Sequence, residues 1–315
     1  IRSMAVRHVV VFQHGLTANC VKSSISHGQA IADIISSSPD AMVTHMHFAT
    51  DNAAPTGRGT YWLTSTQSIR TGGANLAREI HHLLEDPKFS NVTKLSLVGG
   101  SLGGLYARHA ARLLFGDRVG QSSEFSLRPQ VLPHSFITLA SPHLGVTRSS
   151  ALPPAPLMFR ALQAIGSFAS TAIAELKQTD GPPCVLDELT DDAHLSTLRL
   201  FQHRSSYAPM IDDGIVHHAT SAFGLAQPPC PENTAEGIVA IDDTQGVEPQ
   251  FVTEIGTRLC SIGWEVVHVR LAHKVLATLH RQRPGAALAA GSDSQLGQEV
   301  AQHLVHHSLL MAEKQ

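Results

Sequence analysis

KLSLVGGSLGGLYARHA, residues 94–110, decides how this chain folds. Lys94 to Val98 is an apolar, strand-like run. Gly99, Gly100, Gly103 and Gly104 follow with Ser101 held among them, and a helical pattern runs over 102–115. A chain that passes so quickly from strand to helix brings its backbone very close to its neighbours, and glycine is the residue that allows this. The stretch predicts a strand, a tight turn and a helix in direct succession.

The same alternation extends outward in both directions. Strands are predicted at His8 to Gln13, Met42 to Phe48, Ser135 to Ala140, Gln202 to Tyr207 and Glu265 to Leu271, each short, apolar or β-branched, and bounded by turn residues. Helical patterns fall at about 23–37, 67–85, 157–177, 189–200 and 250–262. In the tail, Leu296, Val300 and Leu304 share a helical face after the capping candidates Ser292 and Asp293. Apolar strands alternating with helices predict a mostly parallel central sheet covered by helices, which binds ligands at the carboxyl ends of its strands.

At 315 residues, with 43% hydrophobic and 16% charged positions, the chain is expected to form one α/β domain over 1–315. Met4 reads as the natural start, with residues 1–3 an added remnant. Two excursions leave the core: an apolar, proline-interrupted helical insert at 147–183 and a polar loop at 224–249. A net charge of −3 and the absence of a basic run argue against nucleic acid as a partner. Cys20, Cys184, Cys230 and Cys260 are widely spaced and read as free thiols of a cytoplasmic protein. Pro153, Pro154, Pro156 and Gly166 interrupt the least charged stretch, so no spanning helix is expected, although contact with a membrane or lipid-droplet surface is compatible with it.

Gly99, Ser101 and Gly103 satisfy G-x-S-x-G between a strand and a helix, the setting of a nucleophile elbow. There the serine hydroxyl is pushed out of the sheet's end, at a helix N-terminus that stabilises developing negative charge. GGSLGG does not fit the dinucleotide pattern G-x-G-x-x-G, and no Lys-Ser/Thr follows to make a P-loop. A serine needs a base, a carboxylate and an oxyanion hole to act. The first strand ends in His14-Gly15-Leu16, where a glycine lets the backbone approach a reacting carbonyl, so the N–H groups of Leu16 and Leu102 are expected to hold an oxyanion. His14 reads as a structural residue of that loop. The acid should follow the serine in the chain, and Asp213 is chosen over its neighbour Asp212. His273, just past the last strand, is the expected base, whereas His268 lies inside that strand.

These blocks, HVVVFQHGLTAN, STQSIRTGGANLAREI, LVGGSLGGLYAR, FITLASPHLGV, FQHRSSYAPMIDDGIVHHATSA and GWEVVHVRLAH, resemble in order the serine esterase family of lipase-like α/β-hydrolases. The SPHLG block at 141–145 and the DGIV…TSA block at 213–222 are the most specific to it. The resemblance implies an α/β-hydrolase fold with a helical lid or cap, Ser101 as nucleophile, Asp213 as acid and His273 as base. It also implies a substrate site beside His14, Gly15 and His143, filled by a small-molecule or lipid ester. His217 stands where the family usually has a proline, and no small polar residue follows His273.

The implied chemistry is ester hydrolysis through an acyl-serine. A thioesterase or transacylase would use the same triad, and a non-catalytic binding module would keep the fold alone. No cofactor is called for. The pairs His45/His47 and His303/His307 share faces but lack a third ligand in sequence, so no metal is expected.

Overall fold

Six consecutive buried residues, His8–Gln13, form β1, with strands on both sides and helices above and below it. In the computed structural model the described residues are 6–15, 28–38, 43–52, 67–146, 171–211, 216–229, 237–245, 250, 253–272, 276–277, 279 and 291–310. They form one seven-stranded sheet: β1, β2 (Thr44–Phe48), β3 (Lys94–Gly100), β4 (Leu132–Leu139), β5 (His203–Ile211), β6 (Ile238–Asp243) and β7 (Glu265–Ala272). Its order is β2-β1-β3-β4-β5-β7-β6. Every pairing is parallel except that of β6 with β7.

Alternation along each strand assigns its side chains to two cores. Val9 and Val11 face α2 (Ile69–Glu85) and α3 (Leu102–Phe115), where Leu76, Ile80, Leu105 and Leu114 are fully buried. Val10 and Phe12 face α1 (Gln29–Ser37) and α9 (Gly291–His303), against Ile31, Ile35 and Val300. Each such side chain contributes about 1.5–3 kcal/mol by leaving water. This mostly parallel sheet with helices on both faces is the α/β-hydrolase architecture that the sequence predicts.

Several boundaries differ from the sequence reading. β5 continues four residues beyond Tyr207 despite Pro209, because the β5–β7 register shifts between Pro209 and Ile211 and absorbs the missing N–H. The polar stretch at 224–249 contains β6, a partly exposed edge strand, and α8 (Glu254–Cys260) leads from it to β7. Ser292 and Asp293 fall inside the first turn of α9 rather than before it.

Of the apolar insert, residues 147–170 lie outside the described residues. Its end forms α4 (Thr171–Leu176), followed by α5 (Val185–Glu188) and α6 (Asp192–Arg199). The residue before the insert meets α4, since the Val146 N–H donates to the Leu176 carbonyl at 2.8 Å. Cys184 and Cys260 are free thiols; Cys20 and Cys230 lie outside the described residues. No helix among the described residues is long and apolar enough to cross a membrane.

Candidate active site

The turn between β3 and α3 places Ser101 at φ 53° and ψ −127°, a left-handed-side conformation that a residue with a Cβ adopts only at a cost of about 1–3 kcal/mol. The surrounding structure holds it there. The Ser101 N–H donates to the Leu139 carbonyl of β4 at 2.8 Å, and the Ser101 carbonyl accepts from the Gly104 N–H at 3.0 Å.

The glycines answer to close approach. A Cβ on Gly103 would stand 2.3 Å from the Gln13 carbonyl oxygen, and one on Gly104 would stand 2.1 Å from the Ser141 Oγ. α3 is thereby pressed against the end of β1 and the turn after β4. On the far side, a Cβ on Gly15 would lie 2.7 Å from the Ser101 Cβ and 3.3 Å from the Leu102 nitrogen. The backbone of the His14-Gly15 loop therefore lies directly on the serine and on the first N–H of α3, a position where helix geometry supplies no acceptor. Leu16 lies outside the described residues.

Polar side chains brace that loop. His14 is buried, its Nδ1 donates to the Gly15 carbonyl at 2.8 Å, and burial lowers its pKa, which keeps it neutral. Gln13 Nε2 donates to the His14 carbonyl, and Asn52 Nδ2 donates both to Gln13 Oε1 at 3.0 Å and to the Gly72 carbonyl at 2.8 Å. Asn52 follows β2 beside Thr50 and Asp51, and nothing in that short polar run singles it out for this role.

The other residues expected at the site fall into two groups. Asp212, Asp213 and His273 lie outside the described residues, but their flanks are close. Ile211 and Ala272, which end β5 and β7, are register partners. Beyond residues 273–275 the chain returns to the serine turn, where a Cβ on Gly100 would meet the Ala277 carbonyl oxygen at 2.2 Å.

His143 lies deep in the core. It is completely buried, its ring packed on Phe223 and near Trp264, with centroids 4.8 and 5.9 Å away. Arg108 reaches its Nδ1 at 3.5 Å, its Nε2 donates to Thr138 Oγ1 at 2.9 Å, Thr138 donates to Ser206 Oγ at 3.0 Å, and Ser206 donates to the Ser221 carbonyl at 2.7 Å. Desolvation and Arg108 hold its pKa well below the ordinary value. The ring fastens α3, β4, β5 and α7 (His218–Ser221) together from inside the core.

A second chain of imidazoles lies in the sheet. His218 Nε2 donates to His268 Nδ1 at 2.8 Å, and His268 Nε2 donates to Asp242 Oδ2 at 3.0 Å. Burial lowers both imidazole pKa values, that of His218 to about 3. His268 is fully enclosed and pairs in register with Ala208, in mid-strand, away from the end of β7 that leads to His273.

Residues 4–227 match the family model described as "Putative serine esterase (DUF676)". The chain is similar to "Putative lipase ROG1" of Saccharomyces cerevisiae, 27% identical over 220 residues, 69% of this chain and 28% of that protein. It is also similar to "Putative lipase YDL109C" of the same yeast, 27% identical over 212 residues, 66% of this chain and 29% of that one. The chain thus spans less than a third of the length of these relatives. Among solved structures it is similar to carboxyl esterase 2 (TmelEST2) from the mycorrhizal fungus Tuber melanosporum, with a TM-score of 0.43 and 13% identity over 96% of this chain and 78% of that one.

Proposed function

The chain belongs to the serine esterase family, and from that premise we propose that it hydrolyses carboxylic esters through an acyl-serine formed on Ser101. The observation that carries the proposal is the strained serine turn, on which the Gly15 backbone is packed within contact of both Ser101 and the Leu102 nitrogen.

In this reading His273 takes the Ser101 proton as Oγ attacks the ester carbonyl, and Asp213 fixes the imidazole tautomer. The N–H groups of Leu16 and Leu102 bind the oxyanion. His273 then protonates the leaving alcohol, and water, activated by the same imidazole, releases the acid. Support for the base comes from Ala272 and Ala277: the strand ends at the first, and the second touches Gly100 beside the serine. Support for the acid comes from the Ile211–Ala272 pairing, which starts both segments from adjacent strand ends.

The substrates we propose are lipid esters. The two yeast relatives carry the word lipase in their names, and the insert beginning after Val146 is rich in Leu157, Met158, Phe159, Leu162, Ile165 and Phe168. The Val146 N–H donates to the Leu176 carbonyl, which brings the residue before these apolar positions against the helix after them.

Fluorophosphonate labelling of the native protein and of Ser101→Ala tests the chemistry, with label expected on Ser101 alone. Equal labelling of the variant would overturn it. p-Nitrophenyl esters of rising chain length test the substrate class, and a preference for the shortest acyl group would remove the lipid reading.

A further inference from the structure

α3 carries His109 two turns beyond Ser101, on the flank that meets α5 and α6. His109 Nδ1 faces His194 Nε2 of α6 at 3.4 Å, with the rings stacked at 25°. A carboxylate oxygen of Glu188, the last residue of α5, completes a group of three ligand atoms lying within 4.8 Å of one another.

The proton positions on His194 are legible. Its Nδ1 lies 2.9 Å from Asp191 Oδ1, a carboxylate that can only accept, so Nδ1 carries the hydrogen and Nε2 accepts from His109 Nδ1, a hydrogen bond that a metal ion would replace as the His109 proton moves to its other ring nitrogen. A tetrahedral zinc ion with Zn–N bonds of about 2.0–2.1 Å sets its nitrogen ligands about 3.3–3.4 Å apart. The 3.4 Å between His109 and His194 matches that edge.

We propose that His109, His194 and Glu188 form a site for one divalent zinc ion, which clasps α3 to the α5–α6 segment and leaves a fourth position for water. Two imidazoles and one carboxylate are a donor set suited to zinc. Asp191 supplies the carboxylate–histidine bond that orients such a ligand. Both hydrogen bonds from Arg70 to Glu188 fall on Oε2, leaving Oε1 to the metal. The positive charges of Arg70, on Glu188, and Arg112, near His109, hold the affinity below that of an all-anionic shell.

The site is invisible to spacing rules, because His109 and His194 are 85 residues apart. The pairs weighed from sequence have other partners: His47 bonds Glu79, His303 bonds Tyr207 and His307 bonds Glu265. A second cluster on α2, His81, His82 and Glu85, is more exposed and serves as the control.

The test equilibrates chelator-stripped protein with zinc chloride, desalts it and measures bound metal, melting temperature and, with cobalt(II) in place of zinc, the visible absorption. The expected result is one tightly held zinc per chain, a higher melting temperature and cobalt bands of tetrahedral intensity. His109→Gln and Glu188→Gln should lose the metal, and a variant with His81→Gln and His82→Gln should keep it. Asp191→Asn preserves the N-cap of α6, so it should fold while binding zinc roughly 10- to 100-fold more weakly. Absence of zinc and of the cobalt bands from the native protein would overturn the proposal, as would metal that follows His81 and His82 instead. These readouts are independent of esterase activity.

Discussion

The carbonyl oxygen of Ala277 occupies the space a side chain on Gly100 would need, 2.2 Å from an ideal Cβ. The last residue of β3 is thus the floor on which the segment after β7 rests, next to the serine. Gly100→Ala must push that segment away. We expect destabilisation of about 1–3 kcal/mol from overpacking, and a fall of about 100-fold in the rate of fluorophosphonate labelling, since displacement by 1 Å at a reacting centre costs that much. Unchanged labelling with reduced stability would show that the contact matters only for packing.

Ser101 pays for its geometry in stability. Its φ of 53° is one that glycine adopts without penalty. Ser101→Gly should therefore raise the stability measured in urea by about 1 kcal/mol while abolishing labelling. A variant less stable than the native protein would show that the turn is not strained. Ser101→Ala keeps the Cβ and the strain, so it should melt close to the native protein.

How far the sequence led depends on the range of the interactions concerned. β1 and α3 stand where their patterns predict and β3 runs two residues past Val98 into the glycines, because strands buried on both faces are mostly apolar and the serine turn packs through local glycines. β6 escaped because its apolar run, Ile238 to Ile241, is only four residues long and sits in a stretch full of prolines, glycines and acids, and among the described residues it pairs with β7 alone. His143 reads as a site residue from the SPHLG block, yet its burial is decided by Arg108, Phe223 and Trp264, which sequence adjacency does not reveal. The His109–His194 and Asn52–Gln13 contacts are illegible for the same reason.

Asp212 and Asp213 follow β5 directly, and only one can orient the base. For Asp213→Asn we expect kcat on a p-nitrophenyl ester to fall by about 10⁴-fold, with the imidazole left in the wrong tautomer. Asp212→Asn should remain within a few-fold of the native rate. The opposite ranking would transfer the role to Asp212.

His268 links the helix that follows the acid segment to the edge strand, through His218 on one side and Asp242 on the other. His268→Leu leaves the His218 N–H buried without its acceptor, at a cost of about 1–3 kcal/mol. Equilibrium unfolding measures it. Asp242→Asn keeps an acceptor for His268 and should cost less; equal losses would show that the ion pair, not the imidazole chain, carries the stability.

Glu175 gives the protein a pH dependence with an unusual sign. It is almost fully buried at the end of the insert, and its Oε2 accepts from the Ile69 N–H of α2 at 2.6 Å. Burial, aided by Asp180 and Glu188, raises its pKa from 4.5 to about 6, although the Ile69 hydrogen bond and Arg70 pull the other way. The folded protein thus binds this proton more tightly than the unfolded chain does, so the contribution is full below pH 4.5 and is lost as pH rises through about 6. Glu175→Gln keeps the acceptor for Ile69 without the charge. Its melting temperature should match the native protein near pH 4.5 and exceed it at about pH 8, where native Glu175 bears its buried charge. A native protein that gains stability over Glu175→Gln as pH rises would mean that the hydrogen bond and Arg70 outweigh burial at this carboxylate.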